Sequence, residues 1–207
     1  MAELVLVYGK SGTGKSRSLV NFGEDEILLF NVEGKRLPTR KKFKYVSATT
    51  SVDTIKKGLL KMPENNLKTA VIDDAGYLMT DAFMAGHGKG DQFKLFNDIA
   101  DSFWGMLTAI KKDLPDNIIV YVMMHEQMSD NYGEVKLRTI GKLLDDKVCI
   151  EGMATVVLRA VKKPEGYFFL TQSTGADISK SPEGMFNAEE PNDLKAIDTK
   201  IRDYWGL

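Results

Sequence analysis

The chain has one cysteine in 207 residues, Cys149. It cannot form an internal disulfide, and its neighbours do not make a metal-ligand pattern, which suits a reducing cytoplasm. Cys149 is therefore expected to be a small buried apolar residue. An excess of one charge is also missing, since 28 Lys and Arg against 29 Asp and Glu leave a formal net charge of -1. The field of the whole molecule does not gather nucleic acid, so any polyanion site must be a local patch. Long hydrophobic runs are lacking too. The strongest, residues 118–124, is far too short to span a bilayer, and the N-terminus has no basic segment leading into a long apolar stretch. These absences predict a soluble, cytoplasmic protein with no membrane partner. There is no internal repeat and no low-complexity tract, and the length suits one α/β domain over residues 1–207.

What is present starts at the N-terminus. Gly9, Lys10, Ser11, Gly12, Thr13, Gly14, Lys15 and Ser16 form a complete GxxxxGKS loop directly after an apolar run at residues 4–8. Strand before and helix after is the context in which this motif binds a nucleoside triphosphate. The glycines let backbone N–H groups turn inward to the phosphates, and a helix beginning near Lys15 adds the positive end of its dipole. Lys15 would reach the β- and γ-phosphates and Ser16 would hold Mg²⁺, with Arg17 counted among the nucleotide-binding residues. The alternative is a flexible Gly/Ser turn that matches by chance.

Apolar runs alternate with helical patterns, which predicts an α/β fold with a mostly parallel sheet flanked by helices. Strands are expected at residues 4–8, 27–31, 44–47, 69–73 and 118–124, without clean polar alternation and so buried on both faces. Helices are expected at about 51–62, with Ser51 or Asp53 as cap, and at about 91–113, where Phe93, Phe96, Ile99, Phe103, Met106, Leu107 and Ile110 make one stripe. Residues 155–161 and 167–171 read as a β-hairpin, residues 172–190 as loop, and a last amphipathic helix carries Leu194, Ile197, Ile201 and Tyr204.

Phosphoryl transfer to water needs a metal clamp, a residue that orients the water and a group that responds to the γ-phosphate. The strand at 69–73 runs into Asp73 and Asp74, and Asp73 is the candidate ligand of hydrated Mg²⁺. Glu33 falls just past the second strand, at the sheet edge where open α/β sheets bind ligands, and is the candidate base. Its alternative is a solvated turn carboxylate beside Lys35 and Arg36, and Asp74 is the competing base. His125, at the end of the fifth strand, is the candidate γ-phosphate sensor or else a residue that merely caps the strand.

Together Gly9 to Ser16, Glu33, Asp73 and His125 fall in the order of a RecA-like P-loop ATPase core, and the chain resembles that family. More narrowly it resembles the phage-encoded RecA-like single-strand annealing ATPases of the Sak type, through GKSGTGKS near the N-terminus, Ile72-Asp73-Asp74, Met124-His125-Glu126, the stretch at 167–172 and the stretch at 179–186. The resemblance implies a RecA-like fold with a C-terminal β-hairpin extension, ATP and Mg²⁺ as cofactors, hydrolysis stimulated by single-stranded DNA, and a place in the host cytoplasm. It implies two DNA-binding loops, residues 84–92 with Lys89 and residues 127–147 with Lys136, Arg138 and Lys142. It also implies a homo-oligomer with ATP at subunit boundaries, a single-strand-binding protein as a further partner, and Lys180 as the residue that touches a neighbour's γ-phosphate. Only one basic residue stands there. The first strand begins at Leu4, so the N-terminal linking segment of RecA is missing and a filament is not assumed.

The basic run at residues 35–44, with Phe43 and Tyr45 beside it, is a second candidate nucleic-acid surface, although such runs are usually solvated faces. Two other functions compete. One is a nucleotide-gated helicase loader or partner of a single-strand-binding protein, with little hydrolysis. The other is a small-molecule kinase, against which stands the lack of an Arg-dense lid after the sensor strand.

Overall fold

The computed structural model of the chain describes residues 1–129 and 133–207, the side chains of residues 142, 145 and 146 excepted. The strands are β1 (Glu3–Gly9), β2 (Ile27–Asn31), β3 (Tyr45–Ser47), β4 (Thr69–Asp73), β5 (Ile119–Met128), β6 (Val135–Leu137), β7 (Val156–Lys163), β8 (Gly166–Leu170) and β9 (Glu189–Pro191). They lie in the order β3-β2-β4-β5-β1-β7-β8-β9, with β6 paired to β5 off that path. From β3 through β7 the neighbours are parallel, whereas β8 and β9 extend the sheet antiparallel. The fold is thus mixed α/β with a mostly parallel central sheet and the expected C-terminal hairpin extension.

Side chains of β1 alternate between two cores, as the pleat requires. Leu4, Leu6 and Tyr8 pack on one face with α1 (Val52–Leu60), α2 (Gly76–Gly86) and α3 (Gln92–Asp113), through Ile55, Met79, Phe103 and Met106. Val5 and Val7 face the other core, with Leu19 and Phe22 from the segment after the phosphate loop and Leu194, Ile197 and Ile201 of α5 (Leu194–Trp205). Cover on both faces explains why the strands read as continuous apolar runs. The helix ends are specified locally: Ser51 accepts from the Thr54 N–H, Asp91 from those of Phe93 and Lys94, and Asp193 from those of Lys195 and Ala196. Asp198 ties α5 to the sheet by accepting from Thr69 at 3.0 Å and Tyr121 at 3.1 Å, and it also accepts from Arg202 of the same helix at 2.7 Å.

Several expectations need correction. The segment after the phosphate loop is a 3₁₀ helix of six residues, Ser16–Asn21, not the start of a long α-helix. The Ser18 side chain bonds back to the Lys15 carbonyl at 2.6 Å, and Phe22 is already extended, so the turn does not propagate. Its dipole is correspondingly small. The loop expected at 84–92 shrinks to a connector at 87–91, because α2 reaches Gly86 and packs against α3. The stretch at 127–147 carries β6 and the short helix α4 (Lys142–Lys147). Cys149 is exposed, not buried. Among the described residues no helix is long and apolar enough to cross a membrane.

Candidate functional site

The parallel strands deliver their carboxyl ends to one edge of the sheet. There Gly9 pairs in register with His125, Asn31 with Asp73, and Tyr8 with Arg159. β5, between β1 and β4, brings His125 between the phosphate loop and the Asp73–Asp74 corner. A cleft of about 480 Å³ opens at this edge, lined by the phosphate loop and Arg17 together with Lys35, Arg36, Pro38, Asp74, His125 and Tyr167.

The loop has the shape its glycines allow. Gly12 and Gly14 take positive φ of 79° and 98°, and a Cβ on Gly14 would stand 2.8 Å from both Asn192 Oδ1 and Tyr167 Cδ1. A Cβ on Gly9 would meet the Ala160 carbonyl oxygen at 2.5 Å. Lys15 turns inward: its Nζ donates to the carbonyls of Gly9 at 2.8 Å and Lys10 at 3.0 Å. Burial lowers its pKa, against the pull of Asp74 and Asp73. Lys10, Ser11, Gly12 and Arg17 are exposed, while Thr13, Gly14 and Ser16 are partly buried. Arg17 lies over the Tyr167 ring, 4.9 Å from its centroid.

Asp73 is 1% exposed, and its Oδ1 has no hydrogen-bond partner among the described residues. Burial raises its pKa, and a hydrogen bond from Ser16 offsets part of that. Among the described residues no group of three or more His, Cys, Asp or Glu gathers for a metal. One carboxylate with a free oxygen beside one hydroxyl is instead the donor set of Mg²⁺, which takes its other ligands from phosphate and water. Asp73 and Ser16 therefore fit the ion that a triphosphate would bring.

Asp74 turns the chain through a left-handed conformation, φ 58°, an uncommon choice for a residue other than glycine. Its carboxylate is ion-paired to Lys35 and lies 3.4 Å from His125 Nε2. Burial alone would push Asp74 up, but the hydrogen bonds from His125 and Lys35 outweigh it and hold the carboxyl at about 2. The carbonyl of His125 accepts the Arg138 N–H at 2.8 Å, which ties the β5–β6 hairpin to the site. Next to it Glu126 holds Arg159 at 3.0 Å and 3.3 Å, and Arg159 also reaches Asp177.

The structure thus brings together Lys15, Ser16, Asp73, Asp74 and His125. Glu33 is exposed in the turn after β2 and does not line the cleft, while Lys35, two residues on, does. Lys180 bridges Val157 through its backbone, away from the cleft of its own chain. Lys89 and Arg138 are exposed and Lys136 is partly buried, while the Lys142 side chain lies outside the described residues. Of the basic run at 35–44, Lys35, Arg36 and Pro38 line the cleft while Leu37 and Phe43 pack on the core. Sequence reasoning missed Tyr167 and Asn192 as neighbours of the loop. The only signal was the hairpin itself, whose β7 arm pairs with β1 and whose β8 arm carries Tyr167 to the side of Gly14.

A family model described as an AAA domain matches residues 2–194. No curated protein matches the chain. Among solved structures, the chain is similar to a KaiC-like protein from the hyperthermophilic archaeon Pyrococcus horikoshii OT3, at 14% identity and a TM-score of 0.45, with 81% of this chain and 77% of that one covered.

Proposed function

The chain belongs to the AAA domain family, and from that premise we propose that it is a P-loop ATPase whose nucleotide state controls its grip on single-stranded DNA in recombination, by annealing or strand pairing. The observation that carries this reading is the unbroken line from cleft to hairpin: Asp74 to His125 at 3.4 Å, then the His125 carbonyl to the Arg138 N–H at 2.8 Å. A group that feels the terminal phosphate is thereby fixed to the hairpin carrying Lys136 and Arg138, both of charge suited to a phosphate backbone.

Mg²⁺ held by Ser16 and Asp73 would neutralise charge on the phosphates. The protein's part begins with Lys15, which gives up the carbonyls of Gly9 and Lys10 for phosphate oxygens. Loop N–H groups orient the chain of phosphates, and His125 donates to the terminal one or to the attacking water. Glu33 is the base in this reading, and Asp74, which is paired to Lys35 and His125, is the competing one. Oligomerisation would close the open side of the cleft and bring a neighbour's Lys180 to the phosphate. Lys89 and the basic residues of 127–147, Lys142 included, would contact DNA, with a single-strand-binding protein as a further partner.

Steady-state ATP hydrolysis with and without single-stranded DNA tests the reading. Hydrolysis that DNA stimulates, and that Lys15→Ala and Glu33→Gln both abolish, supports it. Hydrolysis indifferent to DNA overturns the DNA role, and full activity in Glu33→Gln overturns the choice of base.

A further inference from the structure

The residue that follows β2 into the cleft is a cation, and no part of the reading above uses it. The turn at 31–34 closes with the Gly34 N–H on the Asn31 carbonyl, and Gly34 takes a φ of 62°. Chain direction reverses there, so that Glu33 stays outside and Lys35 enters. Asn31 then fixes the Lys35 main chain by donating its side-chain N–H to the Lys35 carbonyl at 2.6 Å. Leu37 packs on the core, which anchors the segment on its far side. The side chain of Lys35 is treated differently. It is 54% exposed, and its amine is held on Asp74, whose own side chain is only 4% exposed.

We propose that Lys35 is a second phosphate-contacting lysine, held on Asp74 and transferred to the terminal phosphate when a triphosphate binds. The proposal rests on the nucleotide reading of the cleft. Three observations carry it. Both cleft lysines are paired with protein acceptors, Lys15 with two carbonyls and Lys35 with one carboxylate. A polyphosphate offers each of them a more highly charged acceptor. Next, the Lys35 side chain is half-exposed and lines the cleft while Asp74 keeps a second donor in His125, so the amine can leave for a phosphate without stranding the carboxylate. Finally, Asp74 directly follows the Mg²⁺ candidate Asp73 and touches His125, so an amine leaving Asp74 departs from the terminal-phosphate end of the site. The exchange has a consequence for His125. With Lys35 on Asp74 the carboxylate is shared between two donors; with Lys35 on phosphate it is left to His125 alone, and the stretch of β5 that holds Arg138 through the His125 carbonyl receives that difference.

The test is calorimetry with ADP and a non-hydrolysable ATP analogue, both with Mg²⁺. Losing a charge-assisted hydrogen bond, Lys35→Ala should weaken the analogue by about tenfold or more and ADP by less than about threefold. Lys35→Arg should recover most of the analogue's affinity. In an Asp74→Asn background Lys35→Ala should cost still more, because the amine no longer has to leave a carboxylate. Equal losses for analogue and ADP, or an arginine variant no better than alanine, overturn the proposal and leave the pair structural. If the alanine variant does not fold, acylation of lysines on the parent chain decides: Lys35 must be protected by the analogue and not by ADP, and equal labelling overturns the proposal. A parent chain that binds neither nucleotide overturns the nucleotide reading itself, which these outcomes keep separate.

Discussion

His125 Nε2 stands 3.4 Å from Asp74 Oδ1, and the same Asp74 carboxylate is paired to Lys35. A buried carboxylate with two donors stabilises the folded chain only while it is charged. Its folded pKa of about 2 lies below the ordinary 3.8, so its contribution is complete above about pH 4 and is lost as pH falls toward 2. The loss amounts to about 2 kcal/mol. Urea unfolding at a series of acidic pH values should show this limb in the parent and a flatter one in Asp74→Asn. Identical limbs would mean that the carboxylate is not held in this way.

Asp73 has the opposite sign. Burial raises its pKa, so holding it charged at neutral pH costs stability, a cost that appears as pH rises through the carboxylate range. Without nucleotide, Asp73→Asn should therefore raise Tm, at roughly 2–4 °C for each kcal/mol recovered in a chain of this size. The same variant should lose the Mg²⁺ dependence of nucleotide affinity. A lower Tm would contradict the burial argument.

Much of this site was legible in the sequence, and the reasons differ residue by residue. Strands β2 and β4 were placed to the residue at 27–31 and 69–73 because both are short aliphatic runs bounded by polar turns. Helix α2 was missed: it begins directly after the left-handed turn at Asp74 with no side-chain cap, and Tyr77, Leu78, Met79, Phe83 and Met84 spread apolar surface around it without a clean stripe. The candidate base Glu33 was read from strand register alone, and register ends at a turn. A single glycine, Gly34, decides that Lys35 enters the cleft instead. Tyr167 and Asn192 come from beyond residue 160, and the successive pairings of β1 with β7, β7 with β8 and β8 with β9 bring them to Gly14.

Gly14→Ala tests the loop's shape without removing a functional group. The new methyl faces Asn192 and Tyr167 at 2.8 Å, on a backbone at φ 98°. Loss of about 2 kcal/mol of stability and of measurable ATP affinity is expected. A variant with the parent's Tm and affinity would show that the loop is not held in this form.

Replacing Lys136, Arg138 and Lys142 together by glutamine should weaken single-stranded DNA binding while ATP affinity stays within about twofold. Three lost phosphate contacts should also reduce the slope of log affinity against log salt by about 2. An unchanged slope, measured by salt titration, would move the DNA surface elsewhere, with Lys89 and the outer part of the 35–44 run as the remaining basic sites.

The most direct measurement is the affinity of a labelled single strand, by fluorescence anisotropy, with a non-hydrolysable ATP analogue and with ADP. Coupling through Asp74, His125 and Arg138 should make the analogue-bound protein bind DNA at least about tenfold more tightly, and Lys15→Ala should erase that difference. Equal affinity in the two nucleotide states, in a parent chain that binds both nucleotides, would contradict nucleotide control of DNA binding.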